Sequence, residues 1–276
     1  MLHHRCTIVI IAIFLFLLAG CAPQARQESS MLPRGQWTLI FVDEFTGSET
    51  DLDEMWEFQN GPSGHILCSR WRENAAVSGG TLTLNARKEK RRGQEWTAAS
   101  MWTKRKFKYG YFECRYRYAK ATGTNNSFWL MTRDLPKDAP GRFEIDINEG
   151  HYPNEINSSI HNWSGKHWAK GKNKKIDGAD LGEQFHTYGL MWSKAELVWY
   201  FDGVEIRREE NTICHREAPV WLSLAIFKWA GPVTDAIDGT SMEVDYIRVY
   251  QTEGTGPDNP DADEQEFGPA AARPAF

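Results

Sequence analysis

Three acids, Glu144, Asp146 and Glu149, stand within six residues in the stretch Phe143-Glu144-Ile145-Asp146-Ile147-Asn148-Glu149. Carboxylates this close repel one another and resist burial, so folding alone gains nothing from grouping them. Two carboxylates on one cleft can displace a group at the anomeric carbon of a sugar. One attacks while the other protonates the leaving oxygen, and retention of configuration needs them about 5–5.5 Å apart. A third acid between them would hydrogen-bond the nucleophile and, by like charge, help keep the acid/base group protonated. The bland alternative is a solvated edge strand whose acids simply face water.

A regular strand does not bring the three together. Side chains alternate faces, so Glu144 and Asp146 share one while Glu149, an odd number of residues from Glu144, points the other way. A β-bulge that absorbs one residue between Asp146 and Glu149 restores the phase. Phe143, Ile145 and Ile147 then form the opposite, core-facing set.

The elements that must carry this strand are themselves strands. Twelve Trp, fourteen Phe and nine Tyr supply flat apolar faces. Period-2 runs recur at 81–85, 109–118, 127–132, 188–192, 197–201, 220–226 and 242–250. They are separated by turn signals such as Ser78-Gly79-Gly80, Asp202-Gly203 and Ala230-Gly231-Pro232. Asp-Gly between Phe201 and Val204 predicts a tight hairpin, because both central residues tolerate positive φ. Many short strands with few helical patterns predict an all-β sandwich of two antiparallel sheets. A sheet lined by Trp suits sugars, since the indole face stacks on the C–H face of a pyranose.

Glu144-Ile145-Asp146-Ile147-Asn148-Glu149 resembles the bulged acid signature of glycoside hydrolase family 16. The resemblance runs along most of the chain. It includes Phe41 to Phe45, Met101 to Arg117 with its Tyr-Gly-Tyr-Phe-Glu-Cys-Arg-Tyr-Arg run, Ser127 to Met131, Ser223 to Ile226 with Trp229, and Val244 to Tyr250. It implies a β-jelly-roll with a concave substrate cleft and a retaining double displacement. Glu144 would be the nucleophile, Glu149 the acid/base and Asp146 the assisting acid. Two positions depart from the family pattern: Ser223 stands where Asn is usual, and Phe227-Lys228 replaces a Gly pair, giving a bulkier, positive loop before Trp229.

Trp129, one strand before the acids, is expected in the cleft. Trp102, Trp163 and Trp229 could each be a sugar platform or packing, and His161 could bind a sugar hydroxyl, bind Asp146 or be structural. The run Lys166 to Lys175 holds five lysines around Trp168. It reads as a surface loop, either merely solvated or overhanging the cleft to grip a polyanionic chain, with Lys228 and Lys104-Arg105-Lys106 adding charge nearby. On those lysines the expected substrate is a polysaccharide, a sulfated red-algal galactan such as agar, porphyran or carrageenan. An endo-β-1,3-glucanase is the alternative, and a non-catalytic glycan-binding jelly roll the alternative of another class.

The remaining expectations concern the ends of the chain, the cysteines and cations. Residues 1–20 read as a signal peptide, whose apolar run from Thr7 to Leu18 is too short to span a bilayer. Leu18-Ala19-Gly20-Cys21 resembles a bacterial lipobox, which implies a lipid anchor on Cys21 and a place in the cell envelope. Residues 21–31 read as a polar linker, 32–251 as the catalytic domain and 252–276 as a disordered tail. Cys6 leaves with the signal, and Cys68, Cys114 and Cys214 remain; Cys114 reads as a buried thiol, and spacing leaves a Cys68–Cys214 pair open. A net charge of −5 excludes a global basic field for nucleic acid. A monomer is expected, with no cofactor required for catalysis. The resemblance adds a structural calcium on the convex side, near Asp245 with backbone oxygens by Glu44.

Overall fold

The computed structural model describes residues 32–137 and 139–252. The signal, linker, Cys6 and Cys21 lie outside the described residues, as does the tail from residue 253. In chain order the first strands are β1 (Trp37–Asp43), β2 (Trp56–Phe58), β3 (Cys68–Arg70), β4 (Ala75–Ser78), β5 (Thr81–Asn85) and β6 (Trp96–Ala98). The long strands follow: β7 (Ser100–Phe107), β8 (Gly110–Arg117), β9 (Thr124–Met131), β10 (Phe143–His151), β11 (Glu155–Asn162) and β12 (Trp168–Lys175). The set closes with β13 (His186–Trp192), β14 (Glu196–Phe201), β15 (Val204–Glu210), β16 (Ala218–Ile226) and β17 (Ser241–Thr252). A short helix, Glu49–Met55, is started by a capping box in which Ser48 and Asp51 satisfy each other's backbone N–H groups.

Two antiparallel sheets face each other, as the alternating pattern requires. One runs β15-β14-β13-β8-β17-β5-β4, with β1 added against β17. The other runs β12-β11-β10-β9-β16-β7-β2 and carries the acids on β10. Between them lies a core that includes Phe112, Phe128, Leu130, Phe143, Ile145, Trp192, Trp199 and Leu222, each at most 2% exposed. The hairpin between β14 and β15 turns at Asp202 and Gly203, with φ of 46° and 76°, the positive values the Asp-Gly pair predicts. β17 continues through Thr252, which pairs with Trp37, one residue past the boundary drawn from composition.

The fold closes one open question, corrects one expectation and bears on a third. Cys68 and Cys214 are not paired: both are free, buried thiols, as is Cys114. The segment 168–175 is no loop but the edge strand β12, hydrogen-bonded to β11 along its length. Asp245 does not offer a free carboxylate to calcium, since Arg115 Nη1 lies 2.5 Å from its Oδ2. Glu44 is likewise held by Arg248 at 2.7 Å.

Candidate active site

β10 carries the predicted bulge. Against β11 the pairing steps from Asp146↔Ser159 to Glu149↔Asn157, three residues opposing two. Against β9 the slip falls between Asp146 and Asn148. Ile147 and Asn148 both turn inward as consecutive residues, 2% and 0% exposed. Asn148 Nδ2 donates to the hydroxyls of Tyr116 and Tyr118, 2.7 Å each, while Trp199 Nε1 donates to the Asp146 carbonyl at 3.0 Å. The other sheet thus pins the bulge from beneath. Gly150 closes the motif because a Cβ there would lie 2.3 Å from the Tyr118 ring.

With the phase shifted, Glu144, Asp146 and Glu149 share the outer face. Directly paired residues of antiparallel strands share a face, so the register draws the site across the sheet. Asp146 pairs with Trp129, Trp129 with Trp221 and Trp221 with Trp102. The three indoles form one row, with successive ring centroids 4.5 Å apart. Trp129 Nε1 donates to Ser223 Oγ at 3.1 Å, so the departure at Ser223 still supplies an acceptor. Trp102 Nε1 donates to Glu57 at 2.8 Å, and the Arg133 guanidinium lies 3.9 Å from the Trp102 ring centroid.

Each acid has its own partners. Glu144 Oε2 accepts from Trp163 Nε1 at 3.0 Å, and Glu149 Oε1 accepts from Asn125 Nδ2 at 2.8 Å. Asp146 Oδ2 lies 3.0 Å from His161 Nε2, and His161 Nδ1 lies 3.2 Å from His167 Nε2. Trp163 and His167 stack with centroids 4.0 Å apart, holding the indole that reaches Glu144. One oxygen of Glu144, one of Asp146 and a ring nitrogen of His161 all lie within 4.8 Å of one another.

Burial pushes Glu144 up to about 8, with the Asp146 charge adding to it and His161 and the Trp163 N–H opposing it. Asp146 is held well above the carboxylate range by burial and by Glu149. Burial also raises Glu149, against the Asn125 hydrogen bond and the charges of His161 and Arg70. Among them Asp146 is the most enclosed, its side chain 3% exposed against 17% for Glu144. Two buried carboxyls this close resist ionising together, so the proton rests on the more enclosed one, Asp146, and leaves Glu144 to be the anion.

The predicted set divides by position. Glu144, Asp146, Glu149, Trp129, His161 and Trp163 come together, and Trp102 joins them through Trp221. Trp229, 56% exposed, and exposed Lys228 lie at the opposite, Glu149 end, where Trp229 meets the His151 ring edge-on at 4.6 Å. All but one of the β12 lysines face away from the acids. Lys170, Lys172 and Lys174 pair with Ile160, Ser158 and Ile156, residues of the inward face. Lys170 bonds Glu209 on β15, and Lys172 Nζ lies 3.4 Å from the Ile206 carbonyl. A lysine-bearing edge strand is a common guard against strand-to-strand association.

Sequence reading passed over Trp221, Asn125, Arg133, His167 and Arg70. Asn125 was within reach, because it stands an even number of residues from Trp129, expected in the cleft, and Trp221 lies in the period-2 run 220–226. Arg133, His167 and Arg70 come from loops and a short strand whose placement no local pattern fixes.

The chain matches the model for glycosyl hydrolases family 16 over residues 65–248. It is 29% identical over 271 residues to a β-glucanase of Rhodothermus marinus, covering 87% of this chain and 93% of that one. A κ-carrageenase of Pseudoalteromonas carrageenovora is 25% identical over 287 residues, covering 87% and 71%. The laminarinase catalytic domain of Thermotoga maritima superposes with a TM-score of 0.70 at 27% identity, covering 78% of this chain and 98% of that one.

Proposed function

Because the chain belongs to glycosyl hydrolase family 16 and is an endo-acting glycoside hydrolase, we propose that it cuts internal β-linkages of a glucan-type backbone with retention. The observation that supports this is the bulge that sets Glu144 and Glu149 on one face with Asp146 between them. Glu144, an anion steadied by the Trp163 N–H, attacks the anomeric carbon. Glu149, its proton favoured by burial, protonates the leaving oxygen. It then takes a proton from the water that releases the glycosyl-enzyme. Protonated Asp146 donates to Glu144 and loosens its hold as the negative charge passes into the ester bond. His161 keeps Asp146 oriented, and the row Trp129-Trp221-Trp102 offers stacking faces to successive sugars.

The glucan backbone follows the named relatives, a β-glucanase and a laminarinase among them. A sulfated galactan is the second reading, supported by cations beside the tryptophan row rather than by the β12 lysines. A tether at the bacterial cell envelope through Cys21 is part of the same proposal, supported by the lipobox-like sequence alone. Product stereochemistry, followed by NMR early in hydrolysis of laminarin, tests the chemistry. The β-anomer should appear first, and the α-anomer would overturn the retaining mechanism.

A further inference from the structure

Two cavities open at the end of the sheets nearest Glu144. One, of about 370 Å³, is lined by Arg142, Asn162, Ser164, Thr212, His215 and Arg216 among others. The second, of about 350 Å³, is lined by Lys106, Lys108, Arg133, Leu135, His215, Arg216 and Glu217. His215 and Arg216 belong to both, so the two form one groove. Among the described residues its walls carry Lys106, Lys108, Arg133, Arg142 and Arg216 against the single acid Glu217. The protein as a whole has a net charge of −5. Asp134 offsets part of this charge, lying 2.8 Å from Lys106 and 3.9 Å from Arg133. Among the described residues no ion pair engages Lys108, Arg142 or Arg216.

The groove is built into the catalytic face at two points. The Arg142 carbonyl accepts from the backbone N–H of Trp163, whose indole holds Glu144, and the Arg142 N–H donates to Ser164 Oγ at 2.8 Å. Arg133 spans from the second cavity onto the Trp102 face. Sugars stacked along the tryptophan row would therefore have one edge turned toward Arg133 and the groove. Guanidinium and ammonium groups with few acids among them select sulfate or carboxylate groups.

We propose that this groove binds the anionic substituents, sulfate or carboxylate, of a β-glycan lying in the cleft, so that the preferred substrate is an acidic chain. The inference rests on the glycosidase reading for the chain in the cleft. It does not depend on which acid does which chemical step.

Laminarin oligosaccharides of one length, unmodified, sulfated or carboxymethylated, differ only in substituent charge and are the probes. Binding to the inactive Glu144→Gln protein is measured by calorimetry, with and without Lys108→Ser, Arg142→Ser and Arg216→Ser together. The sulfated or the carboxymethylated probe should bind roughly ten-fold tighter than the neutral one. That advantage should vanish in the triple variant and fall steeply between about 0.05 and 0.5 M NaCl, as screening requires. Which charged probe gains more identifies the substituent. Equal binding of all three probes, or a charge preference that survives the triple variant, overturns the groove. Should the triple variant fail to fold, Lys108→Ser and Arg216→Ser singly, with the salt titration of the parent protein, decide the same point. Binding to anionic lipid vesicles with no preference among the oligosaccharides would also overturn it, in favour of a membrane-facing surface. Failure of the glycosidase reading looks different: wild-type protein would hydrolyse none of the probes while charged probes still bound tighter. Loss of charge preference with intact laminarin hydrolysis would remove the groove alone.

Discussion

β10 and β12 lie two strands apart in the same sheet, and both are dense in charge, yet they send it to opposite sides. β10 carries an extra residue, so acids of odd spacing converge on the outer face. β12 is regular, so Lys170, Lys172 and Lys174 all turn to the inner side, where β15 receives the first two. Of its lysines only Lys175 shares the face of the acids, and Glu155 holds it at 2.9 Å. A run of charge in sequence therefore says little about where the charge acts. The phase of the strand decides it, and a single inserted residue resets that phase.

The largest effects should come from undoing what the bulge achieves. Glu144→Gln should lower kcat on the order of 10⁴-fold, the scale for removing a group that bonds covalently to substrate. Glu149→Ala should regain turnover with azide on an activated glycoside, because a small anion can attack the glycosyl-enzyme. Deleting Ile145 should abolish activity as fully and also lower the melting temperature, since Glu144 would lose phase with Asp146 and Glu149 and turn into the core. Deleting Gly171 from β12 should leave activity on laminarin within about ten-fold of wild type, because no group of the reaction changes face. Equal damage from the two deletions would break the comparison.

A smaller effect is expected one contact out. Trp163→Phe keeps the stack on His167 but removes the N–H that steadies the Glu144 anion. A hydrogen bond to a charged group contributes roughly 1.5–3 kcal/mol, so kcat/KM should fall about 10- to 100-fold. With that donor gone Glu144 rises further, and the acidic limb of the pH–rate profile should move to higher pH. An unmoved limb would mean that Trp163 only packs.

Stability should respond next. Burial raises Glu144, to about 8 against its ordinary 4.5, and Asp146 beside it, so the folded pair holds a proton that the unfolded chain releases. That contribution is full below 4.5 and is lost as pH rises through the folded value. Glu144→Gln, which cannot ionise, should melt several degrees above wild type at about pH 9 and nearly level with it at about pH 4. A gain of the same size at both would refute the burial of this charge.

The smallest effect belongs to β12. Lys170→Ser, Lys172→Ser and Lys174→Ser together should leave KM unchanged on neutral and sulfated laminarin alike. They should cost only about 1 kcal/mol of stability or less, as exposed ion pairs do. A several-fold rise of KM on the sulfated chain would place these lysines at the cleft after all.

The sequence alone determined whatever depends on neighbours in the chain. Alternation identified the long strands, Asp202-Gly203 the hairpin, and the odd spacing of Glu149 the need for a bulge, because backbone geometry and side-chain period are local properties. Tertiary structure decided what depends on which strands meet. Register alone put Trp221 between Trp129 and Trp102, and Asn125 against Glu149. Arg115 claimed Asp245, and the three cysteines were kept apart as free thiols. The lysine run read as a loop because runs of like charge usually face solvent, and pairing with β11 overrode it. The cationic groove gathers Lys106, Arg133, Arg142 and Arg216 from four separate stretches of chain, so no window of sequence contains it. Contacts of this kind form only when the two sheets close, and the free energy that fixes them is shared across the whole core.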